Sequence, residues 1–75
     1  MKFVELTGKT LVSIINEDEM EPEELQKIGV AEDSVVRINE QGDIELRRKD
    51  GWDVIGGLIG DYQSRIHKHT GMDWA

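Results

Sequence analysis

Seventy-five residues without a single cysteine leave room for one domain, residues 1–75, whose thin core buries about 60% of the surface that the unfolded chain exposes, and they exclude disulfides and thiolate metal sites. A net charge of -7 opposes binding to nucleic-acid phosphates or to an acidic membrane, both of which select Lys and Arg. No apolar run reaches the roughly 18 residues of a membrane span, and Met1-Lys2-Phe3-Val4-Glu5 lacks the apolar stretch of a signal peptide, so the cytoplasm is the expected compartment.

Lys2 to Leu6 reads as a strand ending at Thr7-Gly8, because Phe3, Val4 and Leu6 favour extended backbone. Lys9 to Ile15, richer in apolar residues, reads as a second strand joined to the first by a turn at Gly8. An acidic loop, Asn16 to Glu21, follows. Pro22 fits the first position of a short helix, with Glu21, Glu23 and Glu24 at its positive end, Leu25 and Ile28 on one edge, and Gly29 as its stop. Ser34 to Asn39 and Asp43 to Arg48 alternate apolar and polar residues around Glu40-Gln41-Gly42. That pattern predicts a hairpin with one buried and one wet face. Asp53 is placed to cap a last helix running to about Thr70 and ending at Gly71. Within it Ile55, Leu58, Ile59, Tyr62, Ile66 and His69 share one stripe, Asp61 and Arg65 stand four apart, and Gly56 and Gly60 share a neighbouring face that something could approach closely. Gly56, Gly57 and Gly60 weaken this helix by roughly 1 kcal/mol each.

The motifs that carry chemistry fail on spacing or context. Gly8-Lys9-Thr10 lacks the first glycine of a phosphate-binding loop, since position 3 is Phe3. The glycines of Ile55-Gly56-Gly57-Leu58-Ile59-Gly60 do not match a dinucleotide fingerprint. His67 and His69, two apart on a helix, point roughly 200° away from each other and cannot chelate; His69 is expected at the core edge and His67 in solvent. Asn16, Glu17 and Asp18 lack the glycine and register of a calcium loop. The only basic cluster, Arg47-Arg48-Lys49, is flanked by Asp43, Glu45 and Asp50 and reads as a salt-bridged strand end. No catalytic, cofactor or metal residues are assigned, and the chain is expected not to be an enzyme.

Residues 1–36 hold nine acidic and three basic residues, whereas residues 37–75 hold seven and six. The acidity gathers at Glu17, Asp18, Glu19, Glu21, Glu23 and Glu24, which either form a solvated loop and helix start or meet a partner with a basic patch. Trp52 and Trp74, near the two ends of the last helix, either pack on the sheet or mark a contact surface. The candidate interaction residues are therefore Gly56, Gly60, Trp52, Trp74, Glu17, Asp18 and Glu19.

Pro22-Glu23-Glu24-Leu25-Gln26-Lys27-Ile28-Gly29-Val30 resembles the short helix of the AbrB-like swapped-hairpin domains. Val35 to Ile38, Gly42 and Ile44 to Arg48 resemble the strand–turn–strand that follows it there, and Val4, Gly8, Lys9 and Val12 are similar to that family's first strand and turn. The fragments cover roughly residues 4–12 and 22–48. Ser13 to Glu21 stand as an acidic insertion, and the family's basic DNA-facing surface has little counterpart beyond Lys2 and Lys9. The resemblance implies an intertwined homodimer and a transcription regulator or antitoxin.

The resulting expectation is an α+β domain in the order β-β-α-β-β-α: an antiparallel sheet of about four strands, a short helix crossing between two hairpins, and a C-terminal amphipathic helix on one face. Its core draws on Val4, Leu6, Leu11, Ile14, Leu25, Ile28, Val36, Ile38, Ile44, Leu46, Ile55, Leu58, Ile59, Tyr62 and Ile66. Its expected role is protein interaction or homodimerisation without catalysis. The alternatives are the regulator or antitoxin implied by the resemblance and an enzyme whose site assembles between subunits.

Overall fold

A computed structural model describes residues 3–15 and 20–71. The elements run β1 (Phe3–Thr7), α1 (Gly8–Ile14), α2 (Pro22–Ile28), β2 (Val35–Asn39), β3 (Asp43–Arg48), β4 (Gly51–Gly57) and α3 (Tyr62–Thr70). The four strands form one antiparallel sheet in the order β1-β2-β3-β4. The class is the expected α+β, with the C-terminal helix in place. The element order, however, is β-α-α-β-β-β-α, so a two-helix connection replaces the first hairpin and no helix crosses between two hairpins.

Lys9 to Ile15, expected as a strand, is helical as far as Ile14 because its start is capped. Thr7 is extended (φ -89°, ψ 162°) and its Oγ1 accepts from the Thr10 N–H at 3.2 Å, satisfying one of the orphan donors of a first helical turn. Leu11 and Ile14, three apart, then fall on the buried face. The β-branched residues of this segment carry a strand preference of only a few tenths of a kcal/mol each, which a cap and a core contact exceed.

The second correction is the reverse. Gly51–Gly57 is not the beginning of a long helix but an edge strand, turned back on β3 through Lys49-Asp50. Gly56, Gly57 and Gly60 weaken a helix here by about 3 kcal/mol together, whereas Trp52, Val54 and Ile55 favour extended backbone. Ile44 pairs with Gly56 and Glu45 with Val54, so Ile55 is the extra residue of a β-bulge. Asp53 accordingly caps nothing. It takes two N–H donors from Arg48, at 3.2 and 3.3 Å, so of the basic cluster Arg48 alone is salt-bridged among the described residues, and to Asp53 rather than to the flanking Asp43, Glu45 or Asp50.

The core lies between the helices and one face of the sheet. Val4 pairs with Ile38, Ile38 with Ile44, Leu6 with Val36, and Val36 with Leu46; all are buried, with Leu11, Ile14, Leu25, Leu58 and Ile66 packed into the same cluster. Ile28, Ile55 and Tyr62 pack at its margin. Val30 is buried although it was not expected to be, and Ile59 is 64% exposed. Ile59 leaves the core because the helix that was to aim it inward begins only at Tyr62. His69 is exposed as well, the stripe having lost its first two turns.

Two glycines are required by their neighbours. A Cβ on Gly8 would stand 2.0 Å from the Ala31 carbonyl oxygen, because residues 31–34 lie directly against the start of α1. The Gly8 and Lys9 N–H groups donate to the Ser34 and Glu32 carbonyls at 2.9 and 3.0 Å. At the other end, Gly42 combines a φ of +89° with a close approach to the Leu58 carbonyl and the Tyr62 ring. The Tyr62 hydroxyl donates to the Glu40 carbonyl at 2.7 Å, tying α3 to the β2–β3 turn. Pro22 and the left-handed Gly29 bound α2, and Gly71 ends α3.

Candidate interaction surface

Strand alternation sends every second side chain away from the helices. On that outer face Glu5, Arg37, Glu45 and Val54 form one row across the sheet, from β1 to β4. Arg47 stands opposite Trp52 in the next row. Among the described residues no helix covers this face.

Arg37 organises it. Its guanidinium carbon lies 3.8 Å from the centroid of the Phe3 ring and 4.1 Å from that of Trp52. Nη2 also donates to the Glu45 carboxylate at 3.0 Å. An Arg plane against two aromatic faces gains roughly 0.5–2 kcal/mol per contact according to its desolvation. Here the side chains of Arg37 and Glu45 are only 22% and 12% exposed, so the pair is largely withdrawn from water without helical cover. The cost is visible: Arg37 Nε is buried with no hydrogen-bond partner, a loss of about 1–3 kcal/mol for an unsatisfied buried donor.

Around this stack the face is mixed. Val54 is 63% and Val35 38% exposed. Glu5 on β1 and Arg47 on β3 are exposed and of opposite sign, and neither has an ion pair among the described residues. The edges of the sheet are less inviting than its face. β1 carries Glu5 at its centre, and β4 is bulged and glycine-rich, both of which hinder edge-to-edge pairing.

Of the residues expected at an interaction surface, Trp52 is on this face. Gly56 and Gly60 share no helical face: Gly56 sits in β4 opposite Ile44 with Met20 close by, and Gly60 is a turn residue at φ +76° with open space around it. The close-approach face proposed for them does not exist, because the backbone between them is not helical. Glu17, Asp18, Glu19 and Trp74 lie outside the described residues. Phe3 and Arg37 were not anticipated as a site. Alternation does place Arg37 and Glu45 on one face, but the stack depends on the β1 and β4 registers, which no local signal reports.

No group of three His, Asp or Glu among the described residues is arranged to hold a metal ion, and none of their helices is long and apolar enough to cross a membrane. No protein-family model matches the chain, and no curated protein or solved structure matches it either.

Proposed function

We propose that this chain is a non-enzymatic interaction domain that pairs with a second copy of itself through the outer face of the sheet. The observation that carries the reading is the Phe3–Arg37–Trp52 stack, a desolvated platform beside exposed Val35 and Val54. Glu5 and Arg47 supply the charge complementarity. A two-fold axis brings each residue of one copy to the other residue of its partner, so one contact is made twice.

Four strands of about five residues present a footprint of roughly 19 by 17 Å. Stable interfaces bury about 800 Å² per partner; this face is less than half that, so the dimer is weak and concentration-dependent. Light scattering coupled to size exclusion tests this over micromolar to millimolar protein. The expected mass rises from the 8.5 kDa monomer toward twice that value, and Val54→Glu holds it at the monomer without unfolding the chain. A monomer at every concentration sinks the proposal. A dimer that resists both dilution and Val54→Glu points instead to the intertwined homodimer implied by the resemblance to AbrB-like domains.

A further inference from the structure

Of all the aspartates in the chain, only Asp50 is followed by glycine. An aspartate carboxyl carbon and the next backbone nitrogen can close a five-membered ring, and a side chain on the following residue shields that nitrogen. Asp43 and Asp53 precede the β-branched Ile44 and Val54, and Asp61 precedes Tyr62, so all three are screened in this way. Gly51 has no such screen, and the turn requires it. Its φ of +137° is a backbone conformation that L side chains rarely adopt. The residue that lets β4 turn back on β3 is therefore also the one that leaves its nitrogen open to attack.

The tertiary structure widens this difference. Lys49, Asp50 and Gly51 are all exposed, and nothing lies within 4 Å of the place a Gly51 Cβ would take. The Asp50 carboxylate has no ion pair among the described residues, whereas those of Asp43, Asp53 and Asp61 accept from Asn39, Arg48 and Arg65. Gly51 faces Arg48 as the last pair of the β3–β4 ladder, and the open end of a ladder, at a loop tip, frays at little cost in free energy. The nearest rival is Asp33, which is exposed and precedes the small Ser34. Ser34 is pinned, however: its N–H donates to the Ala31 carbonyl at 3.1 Å, its Oγ accepts from the Ala31 N–H at 2.8 Å, and its carbonyl accepts from the Gly8 N–H at 2.9 Å.

We infer that the Asp50–Gly51 bond is a modification site, at which the folded chain converts spontaneously to isoaspartate. The Gly51 nitrogen attacks Asp50 Cγ and an N–Cγ bond forms. One carboxyl oxygen leaves as water, carrying the amide proton and a proton from solvent, and a succinimide ring results. Water then adds to either ring carbonyl and returns the solvent proton. Addition at Cγ restores aspartate; addition at the former backbone carbonyl leaves the chain running through Cγ, one methylene longer. Nothing is oxidised and water is the only co-reactant. The longer backbone falls in the turn that sets Arg48 opposite Gly51 and Arg47 opposite Trp52. It therefore loosens the end of β4 that holds the Trp52 ring 4.1 Å from Arg37 and leaves the core in place. The reaction belongs to the single chain and is independent of self-association.

The test ages the full chain at neutral pH for weeks, folded and in urea, and maps its peptides by electron-transfer fragmentation, which cleaves the isoaspartate Cα–Cβ bond and so distinguishes isomers of equal mass. In the folded chain isoaspartate is expected at residue 50 and not at Asp33, whereas in urea Asp33 converts as well. Asp50→Glu, a change at an exposed turn position, abolishes the reaction because its ring would need a sixth member. Chemical shifts of the aged folded chain are expected to show a second set of signals for Arg37, Arg48, Gly51 and Trp52, with Ile38 and Ile44 unmoved. An Asp50 that converts in urea and stays intact in the folded chain overturns the inference, since the turn then protects it. Equal conversion of Asp33 in the folded chain overturns it too, by showing that the fold selects no site. Isoaspartate at residue 50 with the Arg37 and Trp52 signals unchanged removes the link to the outer face.

Discussion

The two faces of the sheet are built from the same strands and keep out water by different means. On one, Val4, Leu6, Val36, Ile38, Ile44 and Leu46 share a buried cluster with aliphatic side chains from the helices. On the other, the covering is the sheet's own: Arg37 lies over the Phe3 and Trp52 rings and is paired with Glu45. Close packing supports the first face and tolerates almost no added volume. Stacking and one ion pair support the second, which leaves exposed valines and an unsatisfied Nε. A small domain whose helices suffice for one side of its sheet must protect the other with long, flat side chains or with another molecule.

Gly8→Ala tests this contrast most severely, since its methyl group would enter the space of the Ala31 carbonyl, which is backbone and held by hydrogen bonds. The expected loss is about 3 kcal/mol or more, read as a lower urea midpoint. A change under about 1 kcal/mol would mean that the 31–34 loop yields and the covered face is less rigid than described. Arg37→Ala, on the open face, should cost about 2 kcal/mol by removing both ring contacts and leaving Glu45 unpaired. A double-mutant cycle with Glu45→Ala separates the ion pair from the stacking, and near-complete recovery in the double variant would assign the effect to Glu45 rather than to the rings. The smallest effect is expected from Thr7→Ala, about 1 kcal/mol for a lost helix cap. If its stability is unchanged, α1 is held by the core and by residues 31–34, with no contribution from its own cap.

Much of the open face was latent in the alternation of Val35 to Ile38 and Ile44 to Arg48, which sends Arg37 and Glu45 to the same side. The rest was hidden for two reasons. Trp52 was assigned to a helix end, so its place in a fourth strand was out of view. Phe3 reaches Arg37 only because β1 pairs with β2 across a connection of more than two dozen residues.

What the sequence determines by itself are the features whose cause lies within a few residues. Pro22 and Gly29 bound α2, Gly42 turns the β2–β3 hairpin, Asp61 reaches Arg65 one helical turn away at 3.2 Å, and aliphatic alternation selects the buried face. Tertiary structure decided the segments whose local preferences were nearly balanced. Between Lys9 and Ile15, β-branched residues argued for a strand, and the Thr7 cap with a core position for Leu11 and Ile14 made a helix. Between Gly51 and Gly57, spacing argued for a helix, and the open edge of β3 supplied hydrogen bonds to an extended chain that its glycines would not have held helical. Local propensities differ by tenths of a kcal/mol per residue, whereas a buried leucine or isoleucine contributes about 1.5–3 kcal/mol, so where the two disagree the core prevails.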